Sequence, residues 1–253
     1  MNRAHEGRIA IITGAAQGIG RVIAERLASD GASLMLADAS GDVLKETAAA
    51  IAESHNAEIL THVGDLSLEE VVNAMTAATI QRWGRIDILV NNAGGGVIRP
   101  FLSHTPETLR LTMDRNLWTA IWCCRAVLPH MQAAKYGRIV SIGADSVRNG
   151  LWDHAAYNAA KGGVHGLTTG LAREFAADGI TVNTVAPCAV ATPQLEAFIG
   201  KGIPLIDKFI GVIPMGRAGD MREIASAVSY FASAEASFVT GQVVSVNGGS
   251  TML

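Results

Sequence analysis

The sequence predicts an α/β fold, a parallel sheet covered by helices, and three observations lead there. Short apolar runs of strand length alternate with longer stretches whose apolar residues recur at helical spacing, almost to the end of the chain. Several short runs, RIAIIT and IDILVN among them, are nearly continuous aliphatic segments, as expected of strands buried on both faces. Composition supplies the core such a fold needs: of 253 residues, 49% are hydrophobic and 17% charged, which excludes a disordered chain.

Seven strands are expected, at residues 8–13, 33–38, 58–63, 86–91, 138–142, 180–185 and 242–246. Helices are expected at 19–29, 42–54, 68–83, about 105–134, 157–177 and 222–233, where apolar positions return every three or four residues. Such alternation makes a parallel sheet with right-handed crossovers. No linker or composition shift divides the chain, so residues 1–253 are read as one domain. The least regular stretch, 192–217, holds Pro193, Pro204, Pro214 and several glycines, and is expected to be a substrate lid beyond the strands' carboxyl ends.

Charge and cysteines exclude several classes. Twenty basic against 23 acidic residues give −3 with no basic block, which argues against a nucleic-acid partner. Cys123, Cys124 and Cys188 provide neither a disulfide framework nor zinc-ligand spacing, so no metal is expected. No apolar run approaches the roughly 18 residues of a membrane span. The opening MNRAHEGRIAIITG passes from polar residues straight into a strand, without a signal-peptide pattern. A soluble cytoplasmic domain without a membrane partner is therefore expected.

After the first strand comes Thr13-Gly14-Ala15-Ala16-Gln17-Gly18-Ile19-Gly20, which opens the first helix. Glycines at 14, 18 and 20 permit a tight turn, and the helix's free N–H groups can face a pyrophosphate. Alone, the cluster could equally be an ordinary strand-to-helix turn. Asp38, 18 residues beyond Gly20 at the end of the second strand, adds to it. A carboxylate there accepts hydrogen bonds from ribose hydroxyls and repels a 2′-phosphate, and neither Gln17 nor Ala39 offers a cation. The cofactor expected is NAD rather than NADP. Asp65, after the third strand, either meets the adenine edge or caps the next helix. Gly94, in Asn91-Asn92-Ala93-Gly94 after the fourth strand, lets backbone approach a ligand.

Tyr157 and Lys161 lie four apart at the start of a helix and so share one face. A phenol with a pKa of about 10 is a poor base near neutrality. A neighbouring ammonium favours the phenolate, which suits proton removal from an alcohol while hydride leaves the same carbon.

Taken in order, TGAAQGIG, Asp38, Asp65, NNAG, Asn116, YNAAK at 157–161 and the terminal VTGQVVSVNGG resemble the short-chain dehydrogenase/reductase family over roughly residues 7–250. The resemblance implies an α/β single domain of Rossmann type, a doubly wound parallel seven-stranded sheet with helices on both faces. It implies a nicotinamide dinucleotide bound at Gly14, Gln17, Gly18, Ile19, Gly20 and Asp38, with Asp65 and Leu66 at adenine. Asn92, Ala93 and Gly94 would lie along the adenine ribose, and Pro187 and Val190 would border the nicotinamide. Tyr157 would be the acid/base, Lys161 would bind ribose and tune the tyrosine, and Asn116 would help hold a relay water. Two departures stand out. The family's serine, 13 residues before the tyrosine, is Ala144 here, and the Pro-Gly after the sixth strand is Pro187-Cys188. An extended stretch after the fifth strand would point Ser146 to the same side as Ala144, making Ser146 the expected substitute over Ser141.

CCRAVLPHM at 123–131, TGAAQGIGR at 13–21 and AAKGGV at 159–164 resemble the subgroup that oxidises cis-dihydrodiol carboxylates of benzoate or p-cumate to catechols. A substrate carboxylate wants a cation, and Arg148 and His154 are the nearest candidates in sequence. The alternative enzymes are an alicyclic hydroxyacyl-CoA dehydrogenase and a 3-oxoacyl-thioester reductase; a scaffold that binds nucleotide without catalysis is the alternative of another class. The family resemblance also implies a homotetramer, with Trp118, Trp122 and Phe175 available for an apolar contact surface or for the monomer's core.

Overall fold

Seven strands alternate with helices in the order β1 (Ile9–Thr13), α1 (Gly18–Ser29), β2 (Ser33–Asp38), α2 (Gly41–His55), β3 (Ile59–Val63), α3 (Glu69–Trp83) and β4 (Ile88–Asn91). There follow α4 (Pro106–Met113), α5 (Thr119–Ala134), β5 (Gly137–Ile142), α6 (Ser146–Asn149), α7 (Ala155–Phe175) and β6 (Ile180–Pro187). The chain closes with α8 (Pro193–Glu196), α9 (Pro204–Gly211), α10 (Met221–Ala232) and β7 (Val243–Val246). The structure is a computed structural model, and it describes residues 3–197, 201 and 203–252. Residues 198–200 and 202 of the expected lid lie outside the described residues.

The sheet order is β3-β2-β1-β4-β5-β6-β7, with every pair parallel. The strand order reverses between β1 and β4, so the crevice for a ligand opens beyond their carboxyl ends. Pleat alternation divides the strand residues between two cores. Ile12, Leu34, Leu36, Val90 and Val140 pack with Ile23 and Leu27 of α1 and Val228 of α10. Ile11, Met35, Leu89, Ile139 and Val182 pack on the other face with Met75 of α3 and Val127 and Met131 of α5. Both faces are dry, which explains the uninterrupted aliphatic runs.

Three expectations change. The helix expected over 105–134 is α4 and α5 joined by a π-helical turn, Asp114–Trp118, a wider coil often found at functional sites. The expected lid contains two helices, α8 and α9, each with proline in its first turn, where its missing N–H costs nothing. The stretch after β5 is not extended: Asp145 is helical (φ −66°, ψ −25°) and Ser146 opens α6, so the same-side argument for Ser146 does not hold.

Candidate active site

The site is built where β1, β4, β5 and β6 end. Gly14 (φ +64°) and Gly18 (φ +58°) adopt a backbone that favours glycine, and a Cβ on Gly20 would lie 2.0 Å from the Gly14 carbonyl oxygen. The close approach of α1 to the β1–α1 turn is thus available to glycine alone. No side chain caps α1, and its first turn carries no acid, so its N–H groups are left for an anion. Asn92 braces this turn: its Nδ2 donates to the carbonyls of Thr13 and Gly14, both at 3.0 Å. Its amide therefore supports the nucleotide turn from behind, and the backbone of Ala93 and Gly94 lines the cavity.

One cavity, about 230 Å³, is lined by Gly14, Asp38, Asp65, Leu66, Ala93 and Gly94, together with Arg115 and Thr119. The Asp38 carboxylate accepts N–H groups of Ala16 at 3.1 Å and Ser40 at 2.9 Å, which aims it while leaving lone pairs for hydroxyls. Asp65 accepts the Ser67 N–H at 2.9 Å in the turn before α3, whose N-cap is Leu68 with no side-chain cap, so Asp65 does not cap that helix; it lines the cavity. Arg115, missed in the sequence, is a neighbour of Asn116 sent to the opposite side of the π turn. These features fit a dinucleotide: a glycine cradle at a helix N-terminus and a ribose-directed carboxylate.

A second cavity, about 350 Å³, adjoins it and holds the reactive groups. Ile19, Pro187 and Val190 line it on the cofactor side; Ala144, Ser146, His154 and Tyr157 line it with Ile98, Leu151 and Phe209. Lys161 is buried, and its Nζ donates to the Ile142 carbonyl at 2.8 Å while lying 5.8 Å from the centre of the Tyr157 ring. Asn116 is clamped: its Oδ1 accepts the Gly95 N–H at 3.2 Å, and its Nδ2 donates to the carbonyls of Gly95 (2.9 Å) and Thr112 (2.8 Å). It fixes the β4 loop against the π turn.

Burial, rather than the ammonium, dominates the tyrosine. The Tyr157 phenol is pushed up to about 12 and the Lys161 ammonium down to about 8, each by loss of water. The expected lowering of Tyr157 by Lys161 is overridden because both groups are buried and the lysine is engaged by a carbonyl. His165, also missed in the sequence, sits behind Ala144 and accepts its N–H at 3.5 Å. Burial, with Arg148 and Lys161 nearby, drives His165 down to about 4, so it stays neutral.

The two carboxylate candidates separate. Arg148 turns away from the cavity: its Nη1 donates to Ser245 Oγ at 2.8 Å and its Nη2 to the Val243 carbonyl at 2.7 Å, both on β7. Beside it, the buried Asp145 accepts the hydroxyls of Ser245, Ser250 and Thr251, which ties α6 to the C-terminal tail. Arg148 is a structural residue. His154, by contrast, lines the cavity. Ser146 also reaches it, as the first residue of α6, with its Oγ donating to Asn158 Oδ1 at 2.6 Å. Cys188 lines the same cavity, whereas Cys123 and Cys124 are packing residues whose buried thiols are pushed upward. Among the described residues, no cluster of side chains could hold a metal ion and no helix is long and apolar enough to cross a membrane.

A nucleotide crevice at the sheet's switch point beside a buried Tyr–Lys pair defines a nicotinamide-dependent oxidoreductase, and the chain belongs to the short-chain dehydrogenase/reductase family. The family profile described as Enoyl-(Acyl carrier protein) reductase matches residues 14–251. The chain is 58% identical over 248 residues to the 2,3-dihydroxy-2,3-dihydro-p-cumate dehydrogenase of Pseudomonas putida, covering 98% of this chain and 96% of that protein. It is 37% identical to the 1,6-dihydroxycyclohexa-2,4-diene-1-carboxylate dehydrogenase of Acinetobacter baylyi, covering 96% of each. The crystal structure of levodione reductase superposes with a TM-score of 0.90 at 35% identity, covering 96% of this chain and 97% of that one.

Proposed function

We propose that this enzyme uses NAD to oxidise a cis-dihydrodiol carboxylate, of the p-cumate or benzoate type, to the corresponding catechol. The observation that carries this reading is the 58% identity to a p-cumate dihydrodiol dehydrogenase across nearly the whole chain. The second cavity suits such a substrate, being apolar on most sides with a phenol and an imidazole converging on it.

A nicotinamide held beside Ile19, Pro187 and Val190 would supply the acceptor for the hydride of the carbinol carbon. The chain's residues manage the proton. Tyr157 Oη takes the hydroxyl proton of the diol as its C–H bond breaks, and Lys161, held by the Ile142 carbonyl, keeps positive charge beside the phenolate. In the p-cumate type the cyclic ketone loses the C–H proton of the neighbouring carbinol carbon on tautomerising to the catechol. In the benzoate type that carbon carries the carboxylate in place of hydrogen, and the ketone reaches catechol by losing carbon dioxide and taking up a proton, so aromatisation drives the oxidation in both. Asn116 holds the Gly95 loop, and with it the wall of the cavity, in place. Ser146 supplies the hydroxyl that Ala144 lacks, by turning its proton from Asn158 to the substrate oxygen. Ser146→Ala is expected to lower kcat about 10²-fold with NAD affinity unchanged, and Ala144→Ser in that background to restore part of it. Normal turnover by Ser146→Ala on its diol would remove the serine from the mechanism.

Asp38, its carboxylate aimed by the Ala16 and Ser40 N–H groups, supports NAD over NADP, while Arg115 is the cation that lines the same cavity. The expected kcat/KM with NAD is at least about tenfold above that with NADP, or about 1.4 kcal/mol. Asp38→Ala combined with Ala39→Arg should shift preference toward NADP; equal use of both cofactors by the unaltered enzyme would contradict the assignment. Stoichiometric appearance of the catechol with NADH, followed by chromatography, tests the reaction itself. The same reading includes a cytoplasmic location and a homotetramer; for the tetramer it draws on Trp118, the last residue of the π turn, 42% exposed and stacked on Trp122 of α5. Trp122 and Phe175 pack partly on the core, so the contact surface centres on Trp118.

A further inference from the structure

Among the described residues His154 is the one basic side chain lining the reactive cavity. It is only 9% exposed. Its Nδ1 lies 2.6 Å from the Trp152 carbonyl oxygen, which can only accept, so Nδ1 carries the hydrogen. The neutral ring therefore keeps Nε2 bare, and among the described residues no protein group bonds it. With Nδ1 engaged by Trp152, a proton reaching the imidazole can enter only at Nε2. That converts an acceptor facing the cavity into a charged donor. Phe209 of α9 meets the ring edge-on at 5.1 Å, and the Tyr157 ring stands at 5.9 Å on the other side.

We propose that His154, as imidazolium, binds the carboxylate of a ring acid whose carboxyl lies one or two bonds from the reacting carbinol. The inference rests on the dihydrodiol reading for its substrate class. The His154 and Tyr157 ring centres stand 5.9 Å apart on one cavity, so a single small ring acid can meet both side chains. Among the described residues, Tyr157 of α7 and Cys188 are the other titratable groups lining the cavity with His154; Asp153 is its neighbour in the loop, and Lys208 of α9 and Arg99 contact that loop. Lys208 places its Nζ 5.1 Å from the centre of the Trp152 ring, and the Arg99 N–H donates to the Asp153 carbonyl at 3.2 Å. Neither cation lines the cavity. Helix α9 thus rests on the 151–154 loop through Phe209 and Lys208 together, closing the cavity where the carboxylate would enter.

The test is equilibrium binding of benzoate and of benzyl alcohol to the enzyme saturated with NADH, in the unaltered protein, His154→Gln and His154→Phe. The expected benzoate-to-benzyl alcohol affinity ratio falls at least about tenfold in both variants. Calorimetry in buffers of different ionisation heat should show proton uptake on benzoate binding by the unaltered enzyme, lost in His154→Gln. An unchanged ratio, absent proton uptake, or no benzoate binding by the unaltered enzyme would overturn the proposal. Failure of the dihydrodiol reading would show separately, as NADH formation absent with diol acids while histidine-dependent benzoate binding persists.

Discussion

Tyr157→Phe is expected to reduce turnover by at least about 10³-fold while NAD affinity stays within about threefold. The substitution removes one oxygen and keeps the ring that packs edge-on against His154. Lys161 is bound to the Ile142 carbonyl, and His154, held by Trp152 through Nδ1, is the neighbour whose open Nε2 would account for any turnover that survives. The pH dependence follows from the same burial. With the Tyr157 phenol pushed up to about 12, its phenolate fraction grows roughly tenfold per pH unit through the working range, so diol oxidation should accelerate from about pH 6 to about pH 9. The Lys161 ammonium, lowered to about 8, loses its proton at the top of that window, which should flatten the rise. Stopped-flow NADH formation at several pH values checks both statements. Wild-type turnover by Tyr157→Phe would transfer the acid/base role to another residue.

Gly20→Ala is expected to weaken NAD binding by about 10²-fold and to destabilise the fold by about 1–3 kcal/mol. The added methyl would stand 2.0 Å from the Gly14 carbonyl oxygen and 2.5 Å from Asn92 Nδ2. These two atoms already bond each other at 3.0 Å, so neither can yield without opening the nucleotide turn. Displacing α1 moves the N–H groups that would face the pyrophosphate. Gly18→Ala is the informative companion: nothing lies within 4 Å of its Cβ, and its strain comes only from φ +58°. It should cost about 1 kcal/mol and far less affinity. Calorimetric NAD binding and thermal melts distinguish the two variants, and normal NAD affinity in Gly20→Ala would contradict the packing described.

The nucleotide half of the site was legible in the sequence because close backbone approach demands glycine, and Gly14 and Gly20 could be nothing else. The inner strands were legible because burial on both faces gives continuous aliphatic runs, as in Ile9–Ile12 and Ile88–Val90. That Tyr157 and Lys161 share one face of α7 was legible from their helical spacing. What the sequence concealed depends on contacts far along the chain. Arg148 and His154 looked equivalent until β7, some 95 residues later, captured the guanidinium. Ser146 looked like a continuation of β5, but the Asp145 backbone turns helical while its carboxylate draws in three hydroxyls from the C-terminal region. The π turn at Asp114–Trp118 was hidden because one extra residue in a coil barely disturbs helical periodicity; it is this turn that sends Asn116 inward and Arg115 to the other cavity. The pKa of Tyr157 was misread because spacing reports the neighbouring charge and not the missing water.

Comparison of kcat/KM for NAD reduction across two substrate sets tests the central claim most directly: cis-dihydrodiol carboxylates of benzoate and p-cumate against alicyclic hydroxyacyl-CoA esters, with the same enzyme and cofactor concentrations. The account expects the diol acids to exceed the thioesters by at least about 10²-fold, with a catechol as product. Faster turnover of a thioester, or NADH formation with no catechol, would contradict it.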